Sequence, residues 1–139
     1  AQFCLSEACA DNAILLFFYP KDMTSGCTKE AEGFRDHYDA LLTSGIRVVG
    51  VSKDSMKSHV KFIEKYELPF DLIADTEKVI CDLFGCMVEK SMYGRKYLGI
   101  DRSTFLIGQD QTLKHEWRNV KVPGHVDEVV NTVLAEHHE

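Results

Sequence analysis

The sequence has no basic cluster and no long hydrophobic run. Its 16 Lys and Arg residues are scattered and are outnumbered by 22 Asp and Glu residues, which gives a formal net charge of −6. Nucleic acids and anionic membranes are bound through basic patches, so we expect neither as a partner. The longest strongly apolar stretch, AILLFFY at 13–19, is far shorter than the roughly 20 residues of a membrane-spanning helix, so none is expected.

Motifs for cofactors and metals are also missing. There is no glycine-rich phosphate loop and no dinucleotide fingerprint. None of the six histidines forms an H-x-x-x-H pair or lies at zinc-ligand spacing from cysteines. We therefore expect no cofactor and no metal. The absence of C-x-x-C also argues against the dithiol exchange of a thioredoxin.

Cysteines are few and widely spaced. The chain has five, an odd number without the dense spacing of a disulfide scaffold. This pattern predicts free or catalytic thiols in a reducing compartment, and hence a cytoplasmic protein. The first residues contain no basic stretch followed by an apolar region, so no secretory signal is expected among them. Cys4 and Cys9, in the N-terminal segment, receive no role.

Length and periodicity predict one α/β domain over residues 1–139, without repeats or linkers. Buried strands are predicted at 13–19, 46–52 and 70–75, and STFLIG and LKHEWRN form a hairpin. Helices are predicted over 27–42, from Asp54 or Ser55 to about Tyr66, over 77–85 after a Thr76 cap, and from about His125. Met56, Val60 and Ile63 are predicted to share the buried face of the second helix. Residues 86–99 are predicted to form a long polar loop. The order β-α-β-α-β-α-β-β-α indicates a central mixed sheet with helices on both faces.

Cys27 lies in a polar loop, TSGCTKE at 24–30, between the first strand and the first helix. Reactive groups of α/β proteins gather at the carboxyl ends of such strands. A helix start offers unpaired N–H groups and a favourable dipole, which stabilise a thiolate. Thr24 can place a hydroxyl beside the sulfur, and Gly26 permits close approach of a ligand. An inert buried cysteine would need apolar neighbours, which this stretch lacks, so we interpret Cys27 as a nucleophile.

Two blocks of sequence resemble a known family. PKDMTSGCTKE at 20–30 resembles the active-site motif of the peroxiredoxins, P-x-x-x-T-x-x-C with a glutamate three residues on. FFYPKD, EKSMYGRKYLGI and DRSTFLIG resemble the bacterioferritin comigratory protein or PrxQ subfamily. The resemblance runs from about Ala13 to the end of the chain. It implies a thioredoxin-like fold and thiol-dependent reduction of hydrogen peroxide and organic hydroperoxides.

The resemblance also implies roles for five residues. Cys27 matches the peroxidatic cysteine, which cycles through a sulfenic acid. Thr24 matches the threonine that hydrogen-bonds the thiolate and the peroxide, and Pro20 matches the proline that shields the sulfur from water. Arg102 matches the arginine that completes the pocket, and Glu30 matches the glutamate that orients it.

The usual resolving cysteines of the subfamily are absent. One position, five residues after Cys27, holds Glu32, and the other lies in KFIEKYEL, which has no cysteine. We therefore expect a one-Cys cycle in which an external thiol reduces Cys27. Two other cysteines keep an atypical two-Cys cycle open. Cys81 lies among core-type residues and favours packing, whereas Cys86 follows the helix stop Gly85 at the start of a polar loop.

The sequence leaves open a role other than catalysis, and it leaves open the identity of the reductant. A redox sensor or holdase chaperone could use the same oxidisable cysteine. The reductant could be thioredoxin, glutaredoxin or a small thiol, and the subfamily resemblance favours thioredoxin and a monomer.

Overall fold

The described residues form seven strands and five helices. The computed structural model describes residues 12–137, so Cys4 and Cys9 lie outside the described part of the chain. The elements are β1 (Ala13–Phe18), α1 (Ser25–Asp36), α2 (Tyr38–Thr43), β2 (Ile46–Ser52), α3 (Met56–Tyr66), β3 (Asp71–Ala74), α4 (Val79–Leu83), β4 (Met87–Met92), β5 (Arg95–Ile100), β6 (Ser103–Ile107), β7 (Leu113–Trp117) and α5 (His125–His137). Within 12–137, no helix is long and apolar enough to cross a membrane.

Five strands form one mixed sheet in the order β3-β2-β1-β6-β7. The first three strands are parallel, and β6 and β7 run antiparallel to their neighbours. Every residue of β1 is buried, because this central strand is covered on both faces, and that explains its unbroken apolar run. The predicted mixed sheet and the hairpin of β6 and β7 are confirmed.

The two faces of the sheet carry separate hydrophobic clusters. Side chains alternate along β1, so Leu15 and Phe17 point to one face and Leu16 and Phe18 to the other. Helices α1, α2, α3 and α5 pack on the first face, which we call the α1 face. Short α4 and the start of β4 cover the second, which we call the α4 face. The sheet is thus covered on both sides, as predicted.

Gly50 lies where the backbone of β2 closely approaches core side chains of the α1 face. A Cβ atom there would lie 2.6 Å from Leu72 Cδ2 and 2.8 Å from Phe17 Cζ, both in the core. Gly50→Ala should therefore overpack the sheet and lower the free energy of unfolding by about 1–3 kcal/mol. Denaturant unfolding measures this loss, with the exposed Lys61→Ala as the control. An unchanged midpoint for Gly50→Ala would show that the core can yield at this position.

Two helix predictions need correction. The helix predicted over 27–42 is broken at His37 into α1 and α2, and Leu42 is exposed. On α3, the predicted inward residues Met56 and Val60 are exposed instead. The buried positions are His59 and Phe62, because His59 finds hydrogen-bond partners inside the protein. Ser55 caps α3 through its hydroxyl, which agrees with one of the two predicted caps.

The predicted polar loop at 86–99 is wrong, because β4 and β5 form a two-stranded antiparallel sheet there. Met92 pairs with Arg95 across a two-residue turn. Both turn residues, Tyr93 and Gly94, have positive φ, as the tight turns of hairpins require. Most residues of both strands are exposed or only partly buried. Buried and exposed residues therefore do not alternate in the way that usually reveals a strand.

The region of α4 also differs from the prediction. The helix begins at Val79, after Lys78 in a left-handed conformation, so Thr76 is not its cap. Cys86 does not open a mobile polar loop but is fully buried in the cluster of the α4 face, where Cys81 also lies. Cys81 thus packs as core, as its apolar neighbours predict.

Candidate active site

Cys27 is the third residue of α1, just beyond the loop that follows β1. The first hydrogen bond of the helix runs from Thr28 N to Thr24 O, so the three preceding N–H groups have no partner within the helix. These groups and the helix dipole favour negative charge near the sulfur. The Cys27 side chain packs into the α1 face and is only 1% exposed. The site therefore combines a nucleophilic atom with little access for water.

Arg102 joins Cys27 from 75 residues away in the sequence. It lies in the short connection between β5 and β6, and its Nη2 is 3.2 Å from Cys27 Sγ. Its Nη1 donates to Glu30 Oε1 at 2.8 Å. One planar guanidinium therefore contacts the sulfur and a carboxylate together, and the carboxylate restricts how the guanidinium can turn.

Glu30 is fully buried one turn after Cys27 on α1. Burial raises its pKa to about 7, although the Arg102 guanidinium acts in the opposite direction. Its second oxygen, Oε2, has no hydrogen bond among the described residues. The carboxylate thus depends on Arg102 for its charge compensation, and it titrates near neutral pH.

His125 is a site residue that the sequence analysis treated only as a helix start. Its Nε2 lies 3.9 Å from Glu30 Oε2 and 2.9 Å from Thr104 Oγ1. Burial and the nearby Arg102 lower its pKa to about 4, so it is neutral when Arg102 is paired with Glu30. No local motif marks His125, because α5, β6 and α1 meet only in the folded chain.

The remaining predicted site residues lie in the loop before α1. Pro20 follows the buried Tyr19 and is half-buried. Thr24 precedes the helix, and its hydroxyl donates to Lys21 O at 2.9 Å. Among the described residues, no hydrogen bond joins the Thr24 hydroxyl to Cys27. The contacts of Thr24 with a peroxide therefore stay a prediction.

Gly26 lies beside the Arg102 guanidinium, with room for a Cβ atom at ordinary contact distance. A Cβ atom on Gly26 would lie 3.4 Å from Arg102 Nη2 and 3.6 Å from Val122 Cγ2. The segment containing Val122 is in turn tied to Arg102, because Val120 N donates to the Arg102 carbonyl. The connection between β7 and α5 is therefore tied to the main chain of Arg102 and passes beside Gly26.

The two candidate resolving cysteines lie on the other side of the sheet. Cys81 and Cys86 belong to the cluster of the α4 face, whereas Cys27 belongs to the α1 face. Both are fully buried, and burial raises the pKa of each thiol. The fold does not bring either of them together with Cys27. Across residues 12–137, no cluster of three or more His, Cys, Asp or Glu side chains is arranged to hold a metal ion.

Comparison with known proteins shows which family the chain belongs to. The AhpC/TSA family matches residues 1–116. The chain is 51% identical over 117 residues to a protein of Coxiella burnetii named putative peroxiredoxin bcp, covering 84% of this chain and 78% of that protein. It is 47% identical over 120 residues to peroxiredoxin Bcp of Bacillus subtilis, covering 86% and 76%.

Solved structures give the same result. A Xanthomonas campestris bacterioferritin comigratory protein, described for its alkyl peroxide reduction activity, superposes with a TM-score of 0.89 at 39% identity, covering 94% of this chain and 83% of that one. Peroxidoxin BcpB of Mycobacterium tuberculosis superposes with a TM-score of 0.81 at 31% identity, covering 94% and 84%. The predicted thioredoxin-like fold is confirmed. The chain therefore belongs to the AhpC/TSA family, within the bacterioferritin comigratory protein or PrxQ group of peroxiredoxins, and is a thiol-dependent peroxidase.

Proposed function

We propose that Cys27 is the peroxidatic cysteine and that it reduces hydrogen peroxide and organic hydroperoxides by a one-Cys cycle. The observation that carries this proposal is the 3.2 Å contact between Arg102 Nη2 and Cys27 Sγ at a helix start. The alkyl peroxide reduction described for the Xanthomonas campestris relative supports organic hydroperoxides as substrates.

In the first step the Cys27 thiolate attacks the terminal oxygen of the peroxide. An S–O bond forms, the O–O bond breaks, and the leaving alkoxide or hydroxide takes a proton from solvent. The product at Cys27 is a sulfenic acid. Negative charge moves from sulfur to the leaving oxygen, so donors fixed along this line stabilise the transition state more than the ground state. Arg102 supplies such donors, and Glu30 holds the guanidinium in place. Thr24 acts as a donor to the peroxide and the thiolate, and Pro20 shields the sulfur from water.

The second step needs an external thiol. Two equivalents of thiol reduce the sulfenic acid to the Cys27 thiol, forming one external disulfide and water. The placement of Cys81 and Cys86 across the sheet supports this route over an internal disulfide. Position 32 supports it as well, because it holds a glutamate and not a resolving cysteine. Glu32 is paired with Arg35 at 3.7 Å on the same helix. The donor class comprises thioredoxin, glutaredoxin and small thiols.

Peptide mapping of the protein after one equivalent of hydrogen peroxide tests the cycle. We expect a trapped sulfenic acid at Cys27 and no disulfide from Cys27 to Cys81 or Cys86. The matched control is the double variant Cys81→Ala/Cys86→Ala, which should consume peroxide at the wild-type rate with a small thiol as donor. An internal disulfide at Cys27 would replace the one-Cys cycle with a two-Cys cycle and leave the peroxidase assignment intact. Oxidation confined to other cysteines would overturn the role of Cys27.

The pH dependence of the peroxide reaction tests the role of Glu30. Because burial raises the Glu30 pKa to about 7, the carboxyl is neutral well below pH 7 and charged above it. Only the charged form holds Arg102 by an ion pair, so the wild type should gain rate as Glu30 ionises. Glu30→Gln resembles the neutral form at every pH.

We therefore expect the wild type and Glu30→Gln to react at similar rates near pH 5. The ratio of the wild-type rate to the variant rate should then rise between pH 6 and pH 8. Stopped-flow measurement of Cys27 oxidation over this range gives the ratio. A ratio that does not change with pH would exclude Glu30 as the titrating group.

We also propose that residues 1–139 act as one domain, as a monomer and in the reducing cytoplasm. The odd number and wide spacing of the five cysteines support the reducing compartment.

A further inference from the structure

The loop between β1 and α1 has a conformation that needs support from elsewhere in the protein. Met23, directly before Thr24, has φ of 65° in the left-handed region, although it is not a glycine. Such a conformation costs about 1–3 kcal/mol and persists only where surrounding contacts impose it. The Met23 side chain is exposed, and the Thr24 hydroxyl bonds within the loop, to Lys21 O. Neither residue explains why the loop keeps this shape.

Asp22 is the residue of this loop that faces inward. Its carboxylate is 1% exposed and accepts three hydrogen bonds. Tyr19 Oη donates to Oδ1 at 2.6 Å, Ser58 Oγ donates to Oδ2 at 2.7 Å, and His59 Nδ1 lies 2.7 Å from Oδ2. A carboxylate that accepts from two hydroxyl groups and an imidazole is ionised, and these contacts lower the Asp22 pKa against the effect of burial.

Both ring nitrogens of His59 have hydrogen-bond partners. Nδ1 faces the Asp22 carboxylate, and Nε2 lies 3.0 Å from the carbonyl oxygen of Ile73 on β3. Neither partner can donate, so both nitrogens must carry hydrogens and the ring is an imidazolium. The His59 side chain is 0% exposed. The loop before Cys27 is thus joined to α3 and β3 by a buried ion pair.

The main chain of the loop is fixed at the same point. Asp22 N donates to Asp54 Oδ2 at 2.8 Å, and the same oxygen accepts from Ser52 Oγ at 2.8 Å. Three charged or titratable groups surround His59. They are Asp22 from the loop, Asp54 just after β2 and Tyr19 just after β1. Asp54 and Tyr19 thus belong to segments that meet beside the loop carrying Pro20, Asp22 and Thr24.

We propose that Asp22 and His59 are positioning residues for the peroxidase reaction, whose ion pair anchors the loop carrying Pro20 and Thr24 against α3. A buried ion pair adds little net stability compared with apolar packing, so stability alone does not account for its place here. A fixed loop presents the Thr24 hydroxyl and the Pro20 ring to the peroxide in one arrangement. This inference rests on Cys27 as the reacting thiol, which is part of the proposed function.

The experiment compares two reactions of the same sulfur in the full chain. The rate of Cys27 oxidation by hydrogen peroxide depends on the loop, whereas alkylation of Cys27 by iodoacetamide depends on the thiolate and its accessibility. In Asp22→Asn we expect the peroxide rate to fall on the order of 10-fold to 100-fold, because small displacements of positioning groups have such effects. The alkylation rate should not fall by more than roughly twofold, because the helix start and Arg102 that favour the thiolate are unchanged and a displaced loop does not reduce access to the sulfur.

Substitutions at His59 give a second, graded measurement. Neither Asn nor Leu supplies a cation, but Asn can keep a donor toward Asp22 in place of Nδ1, whereas Leu has no donor. His59→Asn should therefore retain more peroxide reactivity than His59→Leu. If His59→Leu does not fold, Ser58→Ala removes one hydrogen bond to Asp22 without exposing a buried charge and should still slow the peroxide reaction selectively.

Ser55→Ala is the matched control for Ser58→Ala. It removes the cap of α3 and lowers helix stability by roughly 1 kcal/mol without touching Asp22. The inference predicts a wild-type peroxide rate for Ser55→Ala. An equal loss of peroxide rate in both serine variants would reduce the ion pair to a structural role and overturn the inference. Parallel losses of oxidation rate and alkylation rate in folded Asp22→Asn would do the same. An unchanged peroxide rate in Asp22→Asn would also overturn it. A wild type that does not react at Cys27 would instead contradict the proposed function.

Discussion

Cys27→Ser is expected to abolish peroxide consumption with a thiol donor, down to the uncatalysed rate. The serine hydroxyl is a poor nucleophile toward a peroxide oxygen at neutral pH, because it is almost wholly protonated. Cys81 and Cys86 cannot replace the lost thiol, since both are buried on the other face of the sheet and burial raises their pKa. The measurement is peroxide decay under steady-state conditions with excess thiol.

Cys86→Ala is the control for this result. It removes a thiol from the α4 face and should leave the consumption rate unchanged. Equal activity of wild type and Cys27→Ser would contradict the role of Cys27. Slow consumption by both proteins, combined with binding of unfolded clients only after oxidation, would instead support a redox sensor or holdase chaperone.

Arg102→Ala is expected to lower the second-order rate constant with hydrogen peroxide on the order of 100-fold, the size expected for one lost transition-state donor. The guanidinium contacts Cys27 Sγ at 3.2 Å and Glu30 Oε1 at 2.8 Å, and its side chain is 16% exposed. Its removal takes a positive charge away from the sulfur and leaves the Glu30 carboxyl without its ionic partner. Stopped-flow oxidation of Cys27, with circular dichroism to check folding, measures the effect.

Arg102→Lys separates charge from geometry. An ammonium keeps the positive charge but lacks the planar fork that reaches both sulfur and carboxylate. We expect a rate between those of the wild type and Arg102→Ala. Equal rates for the Lys variant and the wild type would show that charge alone is sufficient. A wild-type rate for Arg102→Ala would remove Arg102 from the site.

Elements whose signal is local were predictable. β1 could be identified because a strand covered on both faces needs an unbroken apolar run, and Pro20 ends it. The same is true of α5, whose valines repeat at helical spacing and are buried in the structure. The hairpin of β4 and β5 was missed because its strands are largely exposed, so no alternation of apolar residues reveals them.

The residues of the candidate site also differ in whether a local sequence signal marks them. The loop chemistry at 20–30 marks Cys27 as a nucleophile at a helix start, since those features lie within a few residues of one another. By contrast, His125 and the pair of Asp22 and His59 carry no local motif, because each acquires its role from partners on other elements. Cys86 illustrates the opposite case, in which a position after the helix stop Gly85 suggests exposure but the fold buries the side chain.

The amino-acid sequence by itself determined the five strands of the central sheet, the choice of Cys27 as the candidate nucleophile and the absence of the usual resolving cysteines. These depend on residue type and short-range spacing, which the linear chain contains in full. Only the tertiary structure decided that Arg102 reaches Cys27, that Cys81 and Cys86 lie across the sheet from it, and that an ion pair anchors the active-site loop. These depend on distances between segments far apart in sequence, and such distances are set by the packing of helices on the two faces of the sheet.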